Sequence, residues 1–188
     1  MIAASPGKAR LVRKLVVSTL PRAAAHENIV IRGCIRAGNL FIPCVIGRGG
    51  VARAKREGDG RTPKGRHSIV GGFFRVGPGP RPRSFIPLKA IRDSDGWCDA
   101  PGNPNYNRPV RLPFPASHEK LWRDDGLYDL ALVLDYNLTR RSQGRGSAIF
   151  FHLWRDDRSP TEGCVAVSPE WMRRLLPRLA PNAVIEIT

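Results

Sequence analysis

A histidine and a cysteine, two residue types that act together in nucleophilic catalysis, lie near the C-terminal end of this 188-residue sequence. His152 follows the apolar run A-I-F-F, and Cys164 starts the run C-V-A-V, with a charged loop between them. A thiol attacks as its thiolate, and a neighbouring imidazole can accept the thiol proton. Gly163, directly before the cysteine, allows backbone N–H groups to approach an oxyanion. The pattern predicts acyl chemistry with Cys164 as nucleophile, His152 as base and Gly163 at the oxyanion site.

The residues alone leave one alternative open for this pair. Cysteine is among the most often buried residues, and isolated histidines are common in protein cores. Cys164 would then be a structural thiol, and His152 a core histidine with its hydrogen bonds satisfied. The two interpretations differ in whether Cys164 reacts selectively.

A mainly β frame with a few short helices is predicted to hold the pair in place. Nineteen glycines and 17 prolines indicate many turns, and the length suggests a single domain. An N-cap serine predicts a helix at 117–122, and Ser168-Pro169-Glu170 predicts the start of another. Strands are predicted from β-branched and apolar runs at 29–36 and 40–46 (a hairpin), 67–70, 73–76, 128–134, 148–151, 165–167 and 183–187, with 11–20 as a first strand or an irregular lead-in.

Two loops have compositions that suggest function. The loop at 47–64 has five glycines, but it lacks the order of a phosphate-binding loop, so a wide structural loop is favoured. The loop at 93–107 contains aromatic and hydrogen-bonding side chains: Trp97, Asp99, Tyr106 and Asn107. Such a loop is either a wall of a binding site or a long connection pinned to the core by its aromatic residues.

Composition narrows the classes of partner that the protein is expected to bind. The net charge of +15 favours a polyanion: nucleic acid, anionic lipid or a carboxylate-rich polymer. Basic residues are spread along the chain without a zinc-finger or helix-turn-helix signature, so nucleic acid is not the expected partner. The four cysteines include no C-x-x-C pair, and we expect no metal site. Cys34 and Cys44 could face each other across the predicted hairpin, although buried free thiols are favoured.

No apolar run is long enough to span a membrane, and 15–20 is too short for the core of a signal peptide.

The motifs resemble the L,D-transpeptidase catalytic domain (the YkuD family). The resemblance rests on the histidine, a variable loop and P-T-E-G-C-V-A-V at 160–167, together with T-P-K-G at 62–65. It covers about 29–188 and leaves 1–28 as an N-terminal extension or first strand. It implies a β-sandwich or barrel-like sheet and a cysteine enzyme without a cofactor.

The implied reaction takes place on the stem peptides of peptidoglycan. Cys164 would form a thioester with the stem and transfer it to an acceptor amine. The resemblance also implies a role in the cell wall, a periplasmic or cell-envelope location and reaction with carbapenem-type inhibitors.

The chain departs from the family pattern on both sides of the cysteine. The usual histidine two residues before it is Glu162, and the usual Arg or Asn two residues after it is Ala166. We therefore expect Glu162 and Thr161 to contact substrate, Glu162 by attracting an amine. We expect Arg155, or an arginine of the 47–66 loop, to bind a substrate carboxylate. Two alternatives remain: an L,D-carboxypeptidase or amidase of stem peptides, and a non-enzymatic basic module that binds an anionic polymer.

Overall fold

The structure is a computed structural model that describes residues 11–20 and 33–188. These residues form a mainly β domain, as predicted, with one short helix, α1 (Pro169–Leu175), followed by a 3₁₀ turn (Leu176–Arg178). The strands are β1 (Val12–Thr19), β2 (Gly33–Ala37), β3 (Leu40–Cys44), β4 (Val51–Ala52), β5 (Thr62–Pro63), β6 (Gly65–Phe74), β7 (Leu88–Ala90), β8 (Asp95–Cys98), β9 (Arg108–Arg111), β10 (His118–Lys120), β11 (Leu130–Leu134), β12 (Phe150–Leu153), β13 (Val165–Val167) and β14 (Leu179–Ile187).

The main sheet curves until its two ends meet. Its strands follow the order β13-β12-β11-β6-β14-β1-β2-β3, and β7 pairs with β6 beside this path. Val45, directly after β3, and Ala166, in β13, donate backbone hydrogen bonds of 2.8 Å to each other. This contact nearly closes the sheet into a barrel, which confirms the expected barrel-like sheet.

Alternate residues of β11 belong to two different cores, as the two-residue period of a strand requires. Leu130, Leu132 and Leu134 pack in the larger core, together with β1, β2 and α1. Ala131 and Val133 face a smaller core on the opposite side of the sheet. The small sheet β10-β8-β9 covers this second core through Trp97.

The strands predicted within the described residues and the last helix are found at or near their expected positions. Residues 29–32 of the predicted 29–36 strand, and 1–10 and 21–28 of the N-terminal segment, lie outside the described residues. The 40–46 and 33–37 segments form a hairpin about Gly38, whose φ of +61° suits the turn. Ser168 caps α1, because its hydroxyl accepts a hydrogen bond of 3.1 Å from the Trp171 N–H. Val12–Thr19 is a full member of the main sheet, between β14 and β2.

The four cysteines are free, in agreement with the favoured interpretation. Within the hairpin, Cys34 is in register with Pro43 and Cys44 with Gly33. Cys34 is half-buried, whereas Cys44 is fully buried in the larger core. The two thiols therefore lie on opposite faces of the sheet, and the expectation that they could face each other was wrong.

The helix predicted at 117–122 was wrong. His118–Lys120 is strand β10, paired with β8 in the register His118↔Cys98. The N-cap signal of Ser117 was overridden by this long-range pairing, which completes the cover of the second core. The loop predicted at 93–107 likewise contains β8.

No helix within 11–20 and 33–188 is long and apolar enough to cross a membrane.

Candidate active site

Cys164 and His152 line the same cleft, which has a volume of about 340 Å³. It opens beside the second core, where β12 and β13 run parallel as neighbours. His152 is in register with Ala166, two residues beyond the cysteine, so Cys164 and His152 project from the same face of the sheet. The strand–loop–strand arrangement predicted from the sequence brings the two residues to one site.

The Cys164 thiol is buried and held by the backbone at the start of β12. Its S–H donates to the Ala148 carbonyl at 3.2 Å, and the Phe150 N–H donates to the sulfur at 3.3 Å. Burial raises the pKa of Cys164 to about 12. The Phe150 N–H lowers that pKa, the Glu119 carboxylate raises it, and Lys55 lowers it. At neutral pH the resting residue is a thiol.

His152 is also uncharged at neutral pH. Its side chain is buried, and the edge of the Tyr128 ring packs against the imidazole with 5.3 Å between the ring centres. Burial lowers the pKa of His152 to about 4; the Leu153 and Leu127 carbonyls oppose this effect, and the charges of Arg123 and Arg155 add to it. Nδ1 lies 2.6 Å from the Leu153 carbonyl oxygen, which can only accept a hydrogen bond. This contact assigns the proton to Nδ1 and leaves Nε2 as the basic nitrogen.

The turn before the cysteine is built on Thr161. Its hydroxyl donates to the Cys164 carbonyl at 2.7 Å and accepts from the Gly163 N–H at 3.2 Å. Gly163 has φ +137°, and a Cβ there would lie 2.7 Å from the Arg61 carbonyl oxygen. Only glycine fits this position.

Glu162, at the outer side of the turn, is paired with an arginine. Arg48 Nε donates to the two carboxylate oxygens at 2.9 and 3.0 Å. The Arg48 N–H also donates to the Thr161 carbonyl at 2.9 Å, which ties the 47–64 loop to the turn. The carboxylate at the position where the family has histidine is therefore part of an exposed ion pair.

A buried asparagine holds the backbone to which the thiol donates. Ala148 has φ +50°, an unusual conformation for a residue other than glycine. Asn107 Oδ1 accepts hydrogen bonds of 3.0 Å from the Ala148 N–H and from Trp97 Nε1, and Nδ2 donates to the carbonyls of Tyr136 and Asn137. Asn107 thus fixes the strained residue in place.

The cleft lining also includes two carboxylates whose charges act on each other. They are Asp99 and Glu119, and one oxygen of Asp99 is buried without a hydrogen-bond partner among the described residues. Burial raises the pKa of Glu119; Arg123 opposes this effect and Asp99 adds to it. Arg155 also lines the cleft and lies 3.8 Å from Asp125.

A match to a family model accompanies this geometry. The model of the L,D-transpeptidase catalytic domain (YkuD) matches residues 32–187. The chain belongs to this family. Its members are transferases that act on peptidoglycan in the cell wall. No match was found among curated proteins or among solved structures.

Most of the side chains that the sequence analysis predicted for the site line the cleft. These are Cys164, His152, Thr161, Glu162, Arg155 and Asp99. Three other predicted side chains, Trp97, Tyr106 and Asn107, are buried behind the lining. Tyr106 donates to Glu57, which also accepts from Ser147 at 2.8 Å. These three side chains hold lining residues in place.

Sequence reasoning missed seven polar residues that also line the cleft: Lys55, Glu57, Glu119, Arg123, Tyr128, Ser147 and Ser159. The first two belong to K-R-E-G-D-G at 55–60, a segment that the sequence analysis treated as a wide structural loop. The high density of charged residues among the glycines of this segment could have indicated that it lines the cleft. No group of His, Cys, Asp and Glu in the described part of the chain has the geometry to hold a metal ion.

Proposed function

We propose that this family member is a cysteine-dependent L,D-transpeptidase that acts on peptidoglycan stem peptides in the cell envelope. The observation that carries the proposal is the shared cleft of Cys164 and His152, which receives a buried thiol and a buried neutral imidazole from the same face of the sheet. The family match supplies the reaction class.

In the first half-reaction Cys164 attacks the carbonyl of the L-centre of diaminopimelate in a donor stem. His152 Nε2 takes the thiol proton, the sulfur forms a thioester, and the bond to the terminal D-residue breaks. The proton passes to the departing amine. In the second half-reaction an acceptor amine attacks the thioester and gives its proton to His152. The C–S bond breaks, a new amide cross-link forms, and His152 returns the proton to the Cys164 sulfur.

The attack requires a change of hydrogen bonding at the thiol. In the resting structure its S–H donates to Ala148, so substrate entry must turn it toward the imidazole. We assign the oxyanion contact to the Cys164 N–H, because the Gly163 N–H already donates to Thr161. Gly163 contributes the backbone conformation that places this N–H.

We assign the substrate contacts to the other residues that line the cleft. Arg155 is suited to a substrate carboxylate by its charge and planar donors. Asp99 offers a buried carboxylate oxygen to an ammonium group. Glu162 is less available than its sequence position suggests, because Arg48 already neutralises it. We therefore assign Glu162 and Thr161 to shaping the turn and bordering the substrate.

The test is product analysis with the purified protein and a disaccharide-tetrapeptide. Mass spectrometry should find cross-linked dimers, and Cys164→Ala should abolish them while circular dichroism stays unchanged. Cys34→Ala, which alters a cysteine outside the cleft, should remain active. A carbapenem should acylate Cys164 in preference to Cys44 and Cys98.

Other outcomes decide against the proposal. Stems shortened by one residue, without dimers, would assign hydrolysis and make the protein an L,D-carboxypeptidase. Turnover that persists in Cys164→Ala would exclude the mechanism. Binding to an anionic polymer with no selective modification of Cys164 would identify a non-enzymatic module.

A further inference from the structure

Lys55 is buried in the lining of the cleft, against the glycine that precedes the candidate nucleophile. Its side chain is only 2% exposed, whereas lysine is almost never fully buried unless it is paired. Its Nζ donates to Asp59 at 2.9 Å and to the Arg56 carbonyl at 3.3 Å. Burying an ammonium group costs free energy that one ion pair does not always recover. Its place in the cleft therefore calls for a functional reason.

Two glycines with positive φ form the slot that admits this lysine. A Cβ on Gly146, whose φ is +100°, would lie 2.7 Å from Lys55 Cε. A Cβ on Gly163, whose φ is +137°, would lie 3.2 Å from Lys55 Nζ. Gly146 lies two residues before Ala148, which accepts the S–H of Cys164, and Gly163 directly precedes Cys164. The ammonium thus lies between the two backbone segments that hold the thiol.

The charged and titratable groups that act on the thiol come from several elements. Glu119, on β10, has a carboxyl group whose pKa is raised by burial, and its negative charge opposes ionisation of the thiol. Tyr128 and His152 are buried and neutral. Lys55 acts in the opposite direction to Glu119 and favours the thiolate. Among the described residues, it is the cation whose charge bears on Cys164 in that direction.

The partner of Lys55 only partly cancels its charge. The Asp59 carboxylate also accepts backbone hydrogen bonds from Arg56 at 2.7 Å and Arg61 at 2.9 Å. Although burial raises the pKa of Asp59, these donors and Lys55 together lower it, so Asp59 stays ionised. Asp59 shares its hydrogen bonds among three donors, and the charge of Lys55 still lowers the pKa of Cys164.

We propose that Lys55 is an electrostatic positioning residue that stabilises the thiolate of Cys164 during attack. The inference rests on the proposed function, because it assigns a role toward the nucleophile of that reaction. A neutral imidazole can accept the proton, but an uncompensated thiolate beside Glu119 would be strongly disfavoured. The ammonium offsets that charge while the thiolate exists.

The test compares alkylation of Cys164 by neutral iodoacetamide and by anionic iodoacetate, with sites assigned by peptide mass spectrometry. Lys55→Met should slow the iodoacetamide reaction about tenfold or more between pH 6 and 9, since one pKa unit is a tenfold change in thiolate. It should also lower the ratio of iodoacetate to iodoacetamide rates, because the cation attracts the anionic reagent. A loss of packing alone would not change this ratio.

Lys64→Met is the matched control, because it removes an exposed lysine from the same loop. It should leave the rates and their ratio unchanged. If Lys55→Met does not fold, Lys55→Met/Asp59→Asn removes the whole buried pair and gives the same readout.

The outcomes separate this inference from the proposed function. An unchanged ratio in a folded variant overturns the role of Lys55 while the proposed function stands. Absence of selective Cys164 modification in the unaltered protein overturns the proposed function, and with it the role of Lys55.

Discussion

Single residues of the site are held in their uncharged forms by burial. Cys164 has a raised pKa and His152 a lowered one, so the resting cleft contains a thiol and a neutral imidazole. An ion pair of thiolate and imidazolium would need both groups to be charged within a dry site. The proposed mechanism therefore places proton transfer during the attack on substrate, when new contacts compensate the charges.

The buried imidazole should make stability depend on pH. Unfolded His152 titrates near 6.5 and the folded residue near 4, so the unfolded chain binds an extra proton between these values. Stability is therefore lost as pH falls from 6.5 to 4. The loss between pH 7.5 and 4.5 should be about 2.5 kcal/mol from this group. Urea unfolding at the two pH values measures the loss of the free energy of unfolding. This loss should be smaller in His152→Gln than in the unaltered protein by about 2.5 kcal/mol.

His118→Gln is the control for this measurement, because this variant keeps the buried imidazole of His152. Its free energy of unfolding should fall between pH 7.5 and 4.5 by as much as that of the unaltered protein. Equal pH dependence of the unaltered protein and His152→Gln would show that His152 is not held neutral.

Gly163 can be tested against a glycine that shares its backbone region. Gly163→Ala adds a methyl group 2.7 Å from the Arg61 carbonyl oxygen, so the turn must shift. Gly102→Ala adds one at φ +86° with nothing within 4 Å. Both substitutions should lower the free energy of unfolding by about 1–2 kcal/mol, because alanine is disfavoured in the left-handed backbone conformation. Only Gly163→Ala should also lose carbapenem acylation of Cys164, measured by intact mass. Acylation at the normal rate in this variant would show that the turn tolerates a Cβ.

At the scale of elements, local patterns predicted the strands that carry His152 and Cys164. Apolar alternation, the Gly38 turn and the Ser168 cap are all properties of neighbouring residues, so they can be read from the sequence. The error at 117–122 arose because β10 forms through pairing with distant β8. The position of Lys55 was hidden for the same reason. Pairing of β4 with β5 folds the 47–64 loop back on itself, and the loop then contacts Gly163.

The connection between the 93–107 loop and the start of β12 depends on Asn107. Asn107→Ala removes the partner of two buried N–H groups and two half-buried carbonyls, which should lower the free energy of unfolding by about 3 kcal/mol. Release of Ala148 from its strained conformation should also slow acylation of Cys164. Urea unfolding and acylation kinetics measure the two effects. Exposed Asn105→Ala should change stability by less than about 0.5 kcal/mol, and equal effects of the two substitutions would contradict the role of Asn107.

Over the whole molecule, charge is unevenly divided between the cleft and the remainder of the chain. The protein has 31 Lys and Arg residues against 16 Asp and Glu, a net charge of +15. The cleft, by contrast, is lined by four acidic and three basic residues. The excess of positive charge therefore lies outside the cleft. This division suits a protein that is attracted to a carboxylate-rich polymer by its surface while its cleft admits a group with an ammonium.

This division of charge predicts that salt weakens binding to the polymer much more than it slows acylation of Cys164. Raising NaCl from 0.05 to 0.5 M screens exposed charges, so the bound fraction in sedimentation with purified peptidoglycan should fall steeply. Amidation of the polymer carboxylates should have the same effect at low salt. Acylation of Cys164 by a carbapenem should change less than about twofold, because screening is weak for the buried charges around the thiol. Binding that resists both salt and amidation would show that the net charge does not hold the polymer, and parallel loss of acylation would show that the cleft shares the surface field.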